Sequence, residues 1–141
     1  MEVCMGKAVI VFASTTGNTE AMANAIKEGA PEADLFNVSD TSSGVVLGYD
    51  TLILGSPAMG SEVLEDSMES LFSELEGSLA GKKVALFGSY DWGDGQWLRD
   101  WADRVTSAGA TLVGEPLKIQ TTPDDAGLAS CRDFGKAVVS A

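Results

Sequence analysis

Lys-Ala-Val-Ile-Val-Phe at residues 7–12 is followed closely by Ser-Thr-Thr-Gly-Asn-Thr at residues 14–19, and this junction decides the fold. The apolar run is typical of a strand that is buried on both faces of a sheet. From Asn18 onward, apolar residues recur at helical spacing until Gly29 and Pro31 stop the pattern. The first unit is therefore predicted to be strand, loop and helix.

The same alternation of strand and helix repeats along the chain. Four further strands are predicted, the last one interrupted at Pro116: Asp34 to Val38, Thr51 to Gly55, Val84 to Gly88, and Leu112-Val113 with Leu117 to Ile119. Three further helices are marked by apolar stripes: Met68, Leu71, Phe72 and Leu75; Trp97, Leu98, Trp101 and Val105; Leu128, Cys131, Phe134 and Val138. The first two are expected to end near Gly77 and Gly109, and Pro123 is expected to open the third.

Strands that alternate with helices predict an α/β fold. Right-handed crossovers place helices on both faces of a five-stranded parallel sheet and leave a few doubly wound strand orders, of which 2-1-3-4-5 is expected. A ligand then binds beyond the carboxyl ends of the first and third strands, where the strand order reverses. Length and a hydrophobic content of 45% predict a single domain over residues 1–141, with residues 1–6 as a short N-terminal extension.

Composition argues against several classes of function. With 9 basic and 21 acidic residues, the net charge of −12 repels nucleic acids and anionic membranes and favours basic protein partners. Because the chain has no histidine, hydrolytic triads and zinc sites are poor candidates, and a bound cofactor is expected to supply any reactive group. Cys4 and Cys131 lack metal-ligand spacing and are predicted to be free thiols. Neither a secretory signal nor a spanning apolar run is recognised, so a cytoplasmic protein is expected.

The loop after the first strand is predicted to bind phosphate. It combines four hydroxyls, an amide and a glycine: Ser14, Thr15, Thr16, Gly17, Asn18 and Thr19. Hydroxyl groups and the free N–H groups at a helix start can both donate to phosphate oxygens. The loop has neither the lysine of a Walker motif nor three spaced glycines, which favours a mononucleotide over ATP or NAD. The alternative interpretation is an ordinary capped turn.

Large apolar side chains stand among turn residues after the third and fourth strands. The first of these loops contains Pro57, Ala58, Met59, Gly60 and Glu62, and the second contains Ser89, Tyr90, Asp91, Trp92 and Gly93. A tryptophan flanked by aspartate and glycine fits a ring that stacks on a planar ligand. Met59 by itself fits a core residue better, and Glu62 by itself fits a helix cap.

Taken together, the three loops resemble those of the flavodoxins. Ala-Met-Gly-x-Glu at 58–62, Gly-Ser-Tyr-x-Trp-Gly-x-Gly at 88–95 and Gly-Lys-Lys-Val-Ala-Leu-Phe-Gly-Ser-Tyr at 81–90 are similar to short-chain flavodoxins of clostridia and related anaerobes. The resemblance covers nearly the whole chain and is weakest between residues 29 and 50. It implies the flavodoxin-like fold, non-covalent FMN, and a low-potential electron carrier that shuttles between semiquinone and hydroquinone.

The resemblance also implies a role for individual residues. Ser14, Thr16, Asn18 and Thr19 would hold the phosphate, Met59 and Trp92 would cover the two ring faces, Glu62 would accept a hydrogen bond from ring N3, and the backbone of 89–93 would meet the pyrimidine end. Glycine at position 60 would let its peptide bond turn toward flavin N5 on reduction. Transient partners with basic docking surfaces and a monomeric carrier are expected.

Three positions depart from the pattern of the closest relatives in that family. Ala13 stands where they carry tryptophan, and Thr15 and Asp91 stand where they carry glycine. Thr15 adds a hydroxyl to the phosphate loop but restricts its backbone. Asp91 is expected to bring a carboxylate toward the N1/O2 edge of the ring and to lower the semiquinone/hydroquinone potential.

The main alternative is an FMN-dependent reductase or quinone reductase built on the same fold. If Met59 and Trp92 cover both ring faces, a substrate has no place to bind over the flavin, which favours a carrier without catalytic residues. A phospho-acceptor receiver domain would need an acidic cluster after the first strand and an aspartate after the third. The sequence instead has Ala13-Ser14 and Gly55-Ser56 at those places.

Overall fold

The computed structural model describes residues 8–14, 17–59, 64–90, 95–120 and 122–140. Some predictions of the sequence fall outside these ranges, namely those for Cys4, Thr15, Thr16, Gly60, Glu62, Asp91, Trp92 and Gly93. The strands are β1 (Ala8–Phe12), β2 (Asp34–Asn37), β3 (Thr51–Gly55), β4 (Lys83–Tyr90), β5 (Thr111–Leu112) and β6 (Leu117–Gln120). The helices are α1 (Asn18–Gly29), α2 (Ser43–Val46), α3 (Asp66–Leu75), α4 (Gln96–Ser107) and α5 (Asp125–Val139), and short 3₁₀ turns cover Val38–Asp40 and Glu76–Ser78.

All strands pair in parallel, in the predicted order β2-β1-β3-β4-β5. The predicted fifth strand consists of two segments, because β5 pairs with the start of β4 and β6 with its end. Pro116, which has no N–H to donate to a ladder, lies between the two segments. Val38 was predicted to end the second strand but begins a 3₁₀ turn, where the Asn37 side chain accepts a hydrogen bond from Ser39 N at 3.0 Å.

Successive strand residues face opposite sides of the sheet and build two cores. In β1, Val9 and Val11 face one side, while Ile10 and Phe12 face the other. Buried residues of α3 and α4 cover the first side: Met68, Leu71, Phe72, Leu75, Trp97, Leu98, Trp101 and Val105. Buried residues of α1 and α5 cover the second side: Met22, Ala23, Ala25, Ile26, Cys131 and Val138. The apolar stripes predicted for these helices are thus confirmed as their core faces.

Helices α1 and α5 touch through their backbones at two glycines. A Cβ added to Gly29 would overlap the carbonyl oxygen of Arg132, and one added to Gly135 would overlap that of Ile26. Only glycine allows backbones to approach this closely. Gly29, which the sequence predicts as a helix stop, is therefore the last residue of α1 and also a packing residue.

Cys131 of α5 lies in the core on the same side of the sheet. Its thiol is free and fully buried. Burial raises the pKa of the Cys131 thiol to about 11, an effect that the nearby Arg132 guanidinium partly offsets. The thiol is therefore protonated and a poor nucleophile at neutral pH.

Arg104 of α4 connects this helix to α3 and to the 3₁₀ turn that follows. Its guanidinium donates to both carboxylate oxygens of Glu69, at 2.7 and 2.8 Å, and to both oxygens of Glu76, at 3.1 and 3.0 Å. It also lies 4.9 Å from the ring centroid of Phe72, where a cation is attracted to the ring. The hydrogen bonds that Arg104 donates lower the pKa of Glu69, and the bonds to the Glu69 and Glu76 carboxylates raise the pKa of Arg104.

Replacing Glu69 with glutamine is expected to destabilise the protein at neutral pH. The Arg104 and Glu69 side chains are 32% and 44% exposed, so solvent screens this ion pair. The expected loss in the free energy of unfolding is about 0.5–1 kcal/mol. Because the folded state lowers the pKa of Glu69, its contribution is present above the usual value of 4.5 and is lost as pH falls through the folded-state value. Urea unfolding at pH 7 and pH 3 measures this difference. A Glu74→Gln variant, changed at an exposed carboxylate of the same helix, is the control, and an equal loss at both pH values would contradict the assignment.

Candidate functional site

The loops after β1, β3 and β4 begin side by side at one edge of the sheet. Ala13 N donates to Gly55 O at 3.0 Å, and Ser56 N donates to Phe87 O at 3.2 Å. Ala58 N then donates to the carbonyl oxygen of Ser89, which lies in β4, at 2.9 Å. The hydrogen-bond ladder therefore continues beyond the ends of β1 and β3, and the predicted ligand-binding edge is where these loops meet.

The start of α1 is a candidate site for an anion. Gly17 precedes the helix at φ +92°, a conformation that strongly favours glycine, and its N–H donates to Ser14 Oγ at 3.1 Å. Among the described residues, no side chain caps the first turn of α1. A helix start of this kind presents N–H groups and a positive dipole end to an anion. Neutral hydroxyl and amide groups from Ser14 and Asn18 lie beside it.

The Thr19 and Ser89 side chains connect the first turn of α1 with the end of β4. Their hydroxyl oxygens lie 2.7 Å apart, and both side chains are buried, at 1% and 4% exposure. Either hydroxyl can donate, but each has a single proton. Thr19 can therefore donate to a phosphate only if Ser89 donates to Thr19. The hydrogen bond couples the predicted phosphate site to the predicted ring site.

Trp97 lies beneath this edge and supports two of the loops. Its indole Nε1 donates to the carbonyl oxygen of Ser56 at 3.3 Å, and its ring packs against Tyr90 with centroids 5.5 Å apart. The residue is 1% exposed, so the prediction that Trp97 is a packing residue is confirmed. Its polar N–H nevertheless fixes the backbone from which the 57–64 segment departs.

Ser56 has a local role that the sequence did not reveal. It is fully buried, and its hydroxyl donates to Pro57 O at 2.9 Å while accepting from Glu65 N at 3.0 Å. The only sequence signal was a hydroxyl placed directly after a buried apolar strand. That signal does not identify the hydrogen-bond partner nine residues away.

The described part of the site fits a flavin mononucleotide. An uncapped helix start beside neutral hydroxyls suits a phosphate dianion, and the Thr19–Ser89 hydrogen bond connects that start to the β4 loop. Pro57 is buried, and Ala58 and Met59 are half-buried beside the same edge. Together these features provide one polar end and one apolar end, as a mononucleotide with a planar ring requires.

Comparison with known proteins agrees with this fit. The flavodoxin family model matches residues 10–135. The chain belongs to the flavodoxin family. Flavodoxins from Clostridium beijerinckii and Megasphaera elsdenii are 46% and 44% identical to it over 136 and 137 residues, respectively. These alignments cover 93% and 94% of this chain and 98% of each relative, so the predicted resemblance to short-chain flavodoxins is confirmed.

Solved flavodoxin structures share the fold. Two-electron reduced Megasphaera elsdenii flavodoxin matches with a TM-score of 0.84 and 42% identity, covering 95% of this chain and 99% of that one. Oxidised flavodoxin 1 from Bacillus cereus matches with a TM-score of 0.86 and 31% identity, covering 95% and 97%. This member of the family is therefore an FMN-binding electron-transfer protein and not an enzyme.

The described residues that were predicted to bind the cofactor lie at or beside the carboxyl edge of the sheet. They are Ser14, Gly17, Asn18, Thr19, Pro57, Ala58, Met59, Ser89 and Tyr90. Their individual contacts with FMN stay predictions, as do those of the residues outside the described ranges. Among the described residues predicted to bind the phosphate, Thr19 is distinguished by its burial and by its bond to Ser89.

Replacing Thr19 with valine is expected to destabilise the apoprotein by about 1–2 kcal/mol. Valine keeps the shape of the side chain but leaves the buried Ser89 hydroxyl without its partner. Urea unfolding of Thr19→Val, Ser89→Ala and the double variant forms a double-mutant cycle. The double variant should lose less stability than the sum of the single losses, by at least about 0.5 kcal/mol. Additive losses would show that the two hydroxyls do not interact.

Proposed function

We propose that this protein is a low-potential one-electron carrier whose FMN is held non-covalently by the loops after β1, β3 and β4. The observation that supports this most strongly is the buried hydrogen bond of 2.7 Å between Thr19 and Ser89. It connects a helix start suited to a phosphate with a loop suited to a ring. The proposed contacts are Ser14, Thr15, Thr16, Gly17, Asn18, Thr19, Pro57, Ala58, Met59, Gly60, Glu62, Ser89, Tyr90, Asp91, Trp92 and Gly93.

Different residues serve the two ends of the cofactor in this proposal. The hydroxyls of Ser14 and Thr16, the Asn18 amide and the start of α1 bind the phosphate without a formal counter-charge. Met59 and Trp92 cover the two faces of the ring and exclude water and substrates from them. When bound, FMN would supply the one-electron chemistry.

The charge of the protein favours a low potential. The second reduction would make the flavin anionic. The net charge of −12 opposes this additional negative charge. One unit charge about 10 Å away costs about 0.4 kcal/mol in a water-like dielectric, so a few acidic side chains shift the potential by tens of millivolts. Burial of the anion between Met59 and Trp92 would add to this effect.

The net charge of −12 also indicates which partners we propose. They are redox enzymes with basic docking surfaces, which meet a monomeric carrier in brief, salt-sensitive encounters in the cytoplasm. The whole of residues 1–141 acts as one domain in this proposal. Within the described ranges, the structure has no helix long and apolar enough to cross a membrane.

Purified protein is expected to show flavin absorbance, and its apoprotein is expected to take up FMN with one-to-one stoichiometry. Titration with dithionite should proceed in two separate one-electron steps, because the protein stabilises each reduced form differently. Absorbance spectroscopy under anaerobic conditions measures both properties. An apoprotein that takes up no FMN would refute the proposal. Direct two-electron reduction by a nicotinamide cofactor would instead indicate a reductase.

Replacing Asp91 with glycine is expected to raise the lower of the two midpoint potentials by tens of millivolts. The change removes a carboxylate that the sequence places in the ring-binding loop. Potentiometric titration measures both couples. Glu32→Gln is the control, since it removes one negative charge at an exposed position between α1 and β2, at the opposite edge of the sheet. An unchanged or lower potential in the Asp91 variant would contradict the role proposed for this residue.

A further inference from the structure

Two positively charged side chains lie beside the end of β4, at the carboxyl edge of the sheet. Lys118 of β6 is paired in register with Gly88 of β4. Its ammonium group lies beside Gly95, because a Cβ added to that glycine would be 2.9 Å from Lys118 Nζ. Arg99 is the fourth residue of α4, the helix that begins directly after Gly95. Both exposed side chains line a cavity of about 140 Å³, which is completed by Gly95, Leu98, Glu115 and Pro116.

The other described lysines and arginines lie toward the opposite edge of the sheet. The parallel strands begin at that edge, and the helices that connect them run back and end there. These cations are Lys82 and Lys83 at the start of β4, Lys27, Arg104 and Lys136 in the last turns of α1, α4 and α5, and Arg132, which pairs with Glu28 near the end of α1. Among the described residues, Arg99 and Lys118 are therefore the only cations at the carboxyl edge.

The start of α4 differs in charge from the starts of the other three long helices. Acidic residues occupy the first turns of α1, α3 and α5, where they complement the positive end of the helix dipole: Glu20, Asp66, Glu69 and Asp125. The first turn of α4 has no acidic residue. A cation near a helix start is repelled by the dipole, so Arg99 and Lys118 gain nothing from it. The two side chains instead add to a positive potential beside the end of β4.

We propose that Arg99 and Lys118 raise the lower midpoint potential of bound FMN and so offset part of the effect of the net charge of −12. The inference rests on the proposed function, in which the chain from Ser89 onward contacts the pyrimidine end of the ring. The charge added by the second electron lies at N1 and O2 of that end. Positive side chains beside the end of β4 stabilise this anion by Coulomb attraction. Loss of either cation makes the edge more negative by one unit charge, whether or not a carboxylate also pairs with it.

The test compares Lys118→Gln and Arg99→Gln with the wild-type holoprotein by anaerobic potentiometric titration. In each variant the affinity for doubly reduced FMN, relative to singly reduced FMN, is expected to fall about threefold. This is the size expected for one unit charge acting over roughly 10 Å in a dielectric somewhat below that of water. A threefold change lowers the lower midpoint potential by about 30 mV, since a factor of ten corresponds to about 59 mV for one electron. The higher potential should change less, because the second electron makes the flavin anionic.

Two further variants separate charge from packing and position. Lys136→Gln removes one positive charge from an exposed residue in the last turn of α5, at the opposite edge of the sheet. It should shift the lower potential by less than a third as much as Lys118→Gln. Lys118→Arg keeps the charge, so both of its potentials should match those of the wild type.

Salt dependence and the apoprotein provide two independent measurements. Because Lys118 is exposed, the shift in Lys118→Gln should become smaller as ionic strength rises. In the apoprotein, relaxation of backbone amide protons by cationic and anionic nitroxide cosolutes reports the local electrostatic potential. The potential at the Gly95 amide should become more negative in Lys118→Gln. An unchanged potential there would refute the placement of this ammonium group.

The inference is overturned if Lys118→Gln and Arg99→Gln keep the wild-type lower potential, or if Lys136→Gln lowers it equally. If the wild-type protein binds FMN and the variants show no shift, the proposed function stands and the role of the two cations alone is refuted. If the wild-type apoprotein takes up no FMN, the proposed function fails and this role fails with it.

Discussion

Parallel pairing of β1, β3 and β4 is the constraint on which the rest of the molecule depends. Phe12, Gly55 and Phe87 lie opposite one another in a single row across these strands. Since the strands run in the same direction, the chain leaves this row toward one edge. The strands β1 and β3 end in this row and β4 ends three residues beyond it at Tyr90, so three loops from distant parts of the sequence start at the same edge of the sheet, and the backbone hydrogen bonds Ser56 N to Phe87 O and Ala58 N to Ser89 O connect the chain after β3 to β4.

The helices support this edge from both faces of the sheet. On one face, α1 is packed against α5 through Gly29 and Gly135, so the helix whose start we propose as the phosphate site is held in place. On the other face, α4 carries Trp97 beneath the loop after β3, while Arg104 connects the same helix to α3. The site residues are thus mounted on helices and strands that are buried in two cores, as binding sites with defined geometry require.

Much of the fold could be predicted from the sequence, because strands and helices leave periodic patterns. The apolar runs predicted the central strands, the helical stripes predicted the core faces, and crossover handedness left a few strand orders, among which the observed order was expected. Val38 and the two-part fifth strand were predicted less well, since a side-chain hydrogen bond from Asn37 and the chemistry of proline decide them locally. The hydrogen bonds of Ser56 and Thr19 leave no periodic pattern. The partner of Thr19 lies 70 residues away and could be identified only from the folded chain.

The close contact of α1 and α5 also determines where a label can be attached to this protein. At Gly29 or Gly135 any side chain would push two backbones apart, so neither position can carry a dye or a linker without disturbing the contact between α1 and α5. Gly77 is different, because a Cβ there meets nothing within 4 Å. It lies in the 3₁₀ turn after α3, at the edge of the sheet opposite the loops that follow β1, β3 and β4. A tether to an electrode at this position would leave the carboxyl edge of the sheet, where we propose that FMN binds, facing solution.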